Sequence, residues 1–138
     1  YQLNYSAYGK PFLENTTDQI SISHSKNMVV VFISNTINIG VDVEEISKKV
    51  KKIAPKFISE QEQLMIKDDE DYTIIWSAKE AIYKSYEISG VDFKQGMNVI
   101  EIDKDLKELK LMLNYKELNT FCKLQYHIIN GFTLVYHE

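Results

Sequence analysis

Tyr72-Thr73-Ile74-Ile75-Trp76-Ser77-Ala78-Lys79-Glu80-Ala81-Ile82-Tyr83-Lys84-Ser85-Tyr86 is the longest helical pattern in the chain. Ile74, Ile75, Ala78, Ala81, Ile82 and Ser85 recur at spacings of three and four, so one stripe of this helix must pack against another layer. The sequence on either side is patterned for strands. Before the helix these are residues 2–6, an extended piece after the Tyr8-Gly9-Lys10-Pro11 turn, and residues 19–23, 28–33 and 38–44, with turns at 25–27 and 35–36. After it come 98–102, 110–115, 120–129 and 132–136, the last two joined by Asn130-Gly131, a strong two-residue hairpin signal. A lysine-rich helical turn at 47–53 ends at Pro55. Ser59 and Glu62 fit a capping box, which predicts a short helix to about Ile66. The polar run 67–71 then breaks the pattern and leaves Asp71 to cap the long helix. The whole reads as one α+β domain, with 28–33 as a buried strand.

Composition narrows the function. The 138 residues are 44% hydrophobic and 26% charged, enough to bury roughly two-thirds of the unfolded chain's surface without a disulfide staple. The longest uncharged apolar run, 28–33, is far too short to span a bilayer, and no charged-then-apolar leader precedes it, so no membrane association is expected. Cys122 is the single cysteine; it excludes an intrachain disulfide and leaves too few thiols for a zinc ribbon, and a cytoplasmic location is the expectation. All 16 basic residues are lysine and the net charge is −4, which argues against a general nucleic-acid binder. Any polyanionic ligand must therefore meet a local lysine cluster or a metal ion.

The chemistry-bearing residues fall in a few places. Residues 38–44 alternate, with Ile39, Val41 and Val43 on one face and Gly40, Asp42 and Glu44 on the other. Two carboxylates on one strand face repel each other, and a hard divalent cation relieves that; a solvated strand edge is the alternative. On the long helix, Glu80 and Lys84 lie one turn apart, either as a surface ion pair or as a carboxylate completing a metal shell beside a phosphate-binding lysine. Ser23-His24-Ser25 ends a strand, where the histidine either donates to phosphate or is a surface turn residue. No Gly-x-Ser-x-Gly elbow accompanies it. His127 and His137 have no partner at ligand spacing and read as structural, and Cys122 reads as a buried thiol.

The order of these pieces along the chain is more specific than any one of them. Tyr8-Gly9-Lys10-Pro11, Ile22-Ser23-His24-Ser25, Gly40-Val41-Asp42-Val43-Glu44, Phe57-Ile58-Ser59-x-x-Glu62 and Trp76-Ser77-x-Lys79-Glu80-x-x-x-Lys84 together resemble the 4′-phosphopantetheinyl transferase superfamily. The likeness is to its larger, monomeric surfactin-synthetase-activating type, which carries the first two motifs, and it covers about residues 5 to 90. The resemblance implies holo-[acyl-carrier-protein] synthase-type chemistry: magnesium-dependent transfer of the phosphopantetheine arm of coenzyme A to a carrier-protein serine, releasing adenosine 3′,5′-bisphosphate. It implies Asp42, Glu44 and Glu80 around magnesium, with Glu80 also as the base. Lys84, assisted by Lys79, would meet the pyrophosphate, while Lys10 and Ser23 line the nucleotide and His24 holds its phosphate.

It further implies that residues 53–72 meet an acyl, peptidyl or aryl carrier protein. Phe57, Leu64, Met65 and Ile66 are then either an apolar patch for the carrier or part of the protein's own core. Lys48, Lys49, Lys51, Lys52 and Lys56, the one local basic cluster, are either a docking area for it or, the favoured reading, merely a solvated helix face. Two departures stand out. Ser21 occupies a position where the family has asparagine, and Ser89-Gly90-Val91 matches its glycine-rich loop only loosely. The larger type is a pseudo-dimer of two α+β halves. Residues 1–40 are accordingly expected to be the last strands of the first half and 41–138 the second half, together one compact unit, with most of the first half preceding Tyr1. The rival expectation is a remnant of the fold that binds nucleotide or carrier without transfer.

Overall fold

A computed structural model describes all 138 residues. Strands β1 (Gln2–Tyr5) and β2 (Pro11–Glu14) form one antiparallel hairpin, and β3 (Gln19–Ser25) and β4 (Met28–Ser34) form a second. Then come β5 (Gly40–Glu45), α1 (Lys48–Ile53), a 3-10 turn at Ala54–Lys56, α2 (Glu60–Gln63) and the long α3 (Asp69–Tyr86). Strands β6 (Met97–Asp103), β7 (Glu108–Tyr115), β8 (Leu118–Ile129) and β9 (Phe132–His137) complete the chain. All pairings are antiparallel, and β5 closes against the last strand to give a five-stranded sheet in the order β5-β9-β8-β7-β6. The α+β reading is therefore correct.

The expected stripe of α3 is the core. Ile74, Ile75, Ala78, Ala81 and Ile82 are fully buried against Leu111, Leu113, Leu124 and Val135 of the sheet. Each such large side chain contributes about 1.5–3 kcal/mol of burial. The Asn130-Gly131 turn takes positive φ at both positions, 50° and 80°, as the hairpin requires. The capping box forms too: Ser59 Oγ accepts from the Glu62 N–H while Glu62 Oε1 accepts from the Ser59 N–H.

Two local expectations are corrected. The long helix starts at Asp69, because Asp68 caps it by accepting from the Asp71 N–H at 3.0 Å. With four acidic residues among 68–71, the first takes the cap and the others sit in the first turn, where the positive end of the helix dipole favours them. The strand expected to be buried, β4, is covered on one face only, and Val29 is 66% exposed with Val31 and Ile33 beside it.

Two features set the geometry of the site. The free edge of β5 has no backbone partner in β3. Instead Ser21 Oγ accepts from the Val41 N–H at 3.0 Å and Ser23 Oγ from the Val43 N–H at 3.1 Å, so short side chains satisfy the edge. Ser21 thus makes a supporting hydrogen bond of its own. The second feature is Gly40, which lets β5 lie directly on α3: a Cβ there would sit inside the Ala81 carbonyl oxygen and 2.5 Å from Ser85 Oγ.

Candidate active site

Because α3 rests on β5, the face of the strand carrying Asp42 and Glu44 is turned to the side of the helix that carries Glu80 and Lys84. Asp42 is buried at 5% exposure. Its Oδ1 accepts from Lys84 Nζ at 3.1 Å and from Ser23 Oγ at 3.2 Å. Its Oδ2 is buried with no partner at all. A buried acceptor without a partner carries a desolvation cost of about 1–3 kcal/mol, so it marks a place where a ligand belongs. Burial pushes the Asp42 carboxyl above its ordinary range, against the opposing pull of the Lys84 ammonium and of the hydrogen bond from Ser23.

The other two carboxylates are perturbed in the same sense. Burial and the charge of Asp42 raise Glu44, opposed by nearby polar N–H and O–H groups and by the Lys84 ammonium. Burial, then Asp42, raise Glu80 to about 7, with Lys84 opposing. The three carboxylates thus act on one another, although their oxygens do not converge as a finished three-ligand shell. Lys84 does not pair with Glu80 one turn away. It reaches across to Asp42 and donates to Val41 O at 3.0 Å.

Beside this cluster is a cleft of about 710 Å³, bounded by Tyr8, Lys10 and Pro11 of the first hairpin, Ile22 of β3, and Tyr83 and Lys84 of α3. Lys10 and Lys84 are the basic residues on its wall. Ser23 is buried and serves Val43 and Asp42, so it does not line the cleft. His24 shares the face of Ile20 and Ile22 but is exposed beyond the cleft.

Lys79 requires a correction. It is 0% exposed, on another side of α3, and its Nζ donates to Glu62 Oε1 at 2.8 Å, Phe93 O at 2.7 Å and Phe57 O. An ammonium has three N–H donors, and all three are used inside the protein. Burial lowers the Lys79 pKa and Glu62 opposes the shift. Glu62 Oε2 in turn accepts from the Val99 N–H at 2.8 Å, so this pair ties α2, α3 and β6 together and does not serve the cleft. Phe57, at 0% exposure, is likewise core, and Met65 and Ile66 pack on the core as half-buried residues. Leu64 alone of the four candidate docking residues is open, at 88%. Lys48, Lys49, Lys51, Lys52 and Lys56 are all exposed. His137 is buried, with Nδ1 2.9 Å from Asn38 O, and Cys122 is a buried thiol, as expected of both.

Ser77, a member of the helix motif with no role assigned from the sequence, pairs with Thr133 at 2.8 Å.

The model of the 4′-phosphopantetheinyl transferase superfamily matches residues 38–134. A relative, the 4′-phosphopantetheinyl transferase gsp of Aneurinibacillus migulanus, is 34% identical over 84 residues, covering 56% of this chain and 35% of the relative. The matched part is thus about a third of that protein's length. No helix is long and apolar enough to cross a membrane.

Proposed function

Because the chain belongs to the 4′-phosphopantetheinyl transferase superfamily, we propose that it moves the phosphopantetheine arm of coenzyme A onto a serine hydroxyl of an apo carrier protein, releasing adenosine 3′,5′-bisphosphate. The observation that carries this reading is Asp42 Oδ2, buried and unpartnered next to two further carboxylates and an ammonium. An all-oxygen donor set of this kind suits magnesium, and Asp42, Glu44 and Glu80 would hold it. When bound, magnesium supplies charge neutralisation on the pyrophosphate.

The chain's own residues do the rest. Lys84 Nζ, held by Asp42, Val41 O and more distantly Ile22 O, is 29% exposed where Lys79 is sealed off, and is thus a fixed point charge that pyrophosphate oxygens can reach. Glu80, at the edge of the cluster, accepts the serine proton directly or through water. Lys10 meets the nucleotide across the cleft, and His24 is available to a phosphate that extends beyond it. Ser23 orients Asp42 and does not touch ligand. The exposed lysines of α1, with Leu64, are the surface for an acidic carrier protein. On this reading residues 1–40 are the last strands of a first half and 41–138 a second half, and the reaction takes place in the cytoplasm.

The test is transfer itself. An apo carrier protein is incubated with coenzyme A, magnesium and this chain, in parallel with any longer gene product that contains it, and its intact mass is read. A gain of one phosphopantetheine is expected. No gain with either protein, across fatty-acid, polyketide and peptide carriers, favours a non-catalytic remnant of the fold instead.

A further inference from the structure

Of the twelve residues that line the cleft, Glu87 is the one that is acidic. Its position is locally unfavourable in two ways. It follows the last turn of α3 at φ 51° and ψ 44°, the left-handed geometry that glycine takes freely and a residue with a Cβ resists. It also places a carboxylate at the negative end of the helix dipole, where a cation would be favoured. Helix capping therefore gives no reason for glutamate here. The one ion pair it makes is with Lys10 Nζ, at 3.0 Å across the mouth of the cleft. Lys10 is held to meet it by a tight turn, in which the Ser6 N–H donates to Lys10 O at 2.8 Å and the Lys10 N–H to Ser6 Oγ at 3.1 Å.

We propose that Glu87 is a built-in competitor for phosphate. Its carboxylate holds Lys10, an incoming phosphate must displace it, and it reclaims Lys10 as the ligand leaves. The effect is to lower affinity and speed release without touching the reacting atoms, which makes Glu87 a positioning residue. The assignment rests on the proposed reading of the cleft as the site for coenzyme A and its bisphosphate product. It differs from a purely mechanical role in sign. If the pair only strapped the first hairpin to α3, removing it would loosen the cleft and weaken binding.

The experiment titrates adenosine 3′,5′-bisphosphate, and separately inorganic pyrophosphate, into the wild type, Glu87→Gln, Lys10→Gln and the double variant. Glutamine keeps the length and backbone geometry of residue 87 and removes only the charge, and circular dichroism checks that each variant is folded. A half-exposed ion pair predicts a gain of about two- to fivefold in affinity for Glu87→Gln, with slower dissociation. That gain should vanish in the Lys10→Gln background. Unchanged or weaker binding of both ligands by Glu87→Gln overturns the proposal. Should the nucleotide bind none of the four proteins while pyrophosphate still tightens on Glu87→Gln, the competitor stands and the coenzyme A reading falls.

Discussion

At the scale of single residues, the two lysines of the helix motif have opposite fates, and geometry explains it. Lys79 and Lys84 are five positions apart, about 140° around an α-helix. They cannot share a cleft, whereas Glu80 and Lys84, about 40° apart, can. The spacing was legible; the resemblance grouped all three and obscured it. Replacing Lys79 with methionine should therefore be a stability lesion. It leaves the Glu62 carboxylate buried without its counter-charge, which costs about 3–5 kcal/mol. Denaturant unfolding should register that loss, and nucleotide affinity of the folded fraction should not change.

Glu80 makes the opposite kind of prediction. Its folded-state pKa of about 7 lies above the ordinary 4.5. The folded protein therefore holds an extra proton between those values, and this group's contribution to stability falls as pH rises through that window and stays low above it. In metal-free buffer, Glu80→Gln should flatten that decline and raise the thermal midpoint at pH 8. Added magnesium should raise the midpoint of the wild type and much less that of the variant. A wild type indifferent to both pH and magnesium would remove Glu80 from the cation site.

At the scale of elements, the strands and the core stripe of α3 were legible because their periods differ, two against three and four. What periodicity does not say is which face finds a partner. The apolar run of β4 reads the same whether one or both faces are covered, and only the tertiary structure shows Val29, Val31 and Ile33 open. The contact between β5 and α3 was equally hidden, since Gly40 in a strand could have signalled a bulge or a close approach. It is a close approach, and it sets the distance between Asp42 on the strand and Glu80 and Lys84 on the helix. Gly40→Ala should push the two elements apart, costing about 1–3 kcal/mol in unfolding measurements. Magnesium binding should weaken with it, although residue 40 touches no ligand. Normal stability with normal magnesium binding would mean that this contact does not set the site.

At the scale of the molecule, charge and motif order point to one economy. In a chain with net charge −4, two of the 16 lysines are in the cleft, each in an ion pair with a carboxylate of the protein, and five cluster on and just after α1 facing outward, while most of the rest are scattered over turns and outer strands. On the proposed function, anionic ligands and an acidic partner would be met by these two separate patches. The family was readable from the order of five motifs along the chain, although the Phe57-to-Glu62 motif is core and lines no part of the cleft. Within the last two motifs, Glu62 and Lys79 stabilise the frame, while Lys84 lines the cleft and Glu80 lies beside it with the other two carboxylates. The measurement that tests this account most directly is the intact mass of an apo carrier protein after incubation with coenzyme A, magnesium, and either the wild type or Glu80→Gln at matched folded concentration. The account predicts one added phosphopantetheine with the wild type and none, or a trace, with the variant; equal modification by both would contradict it.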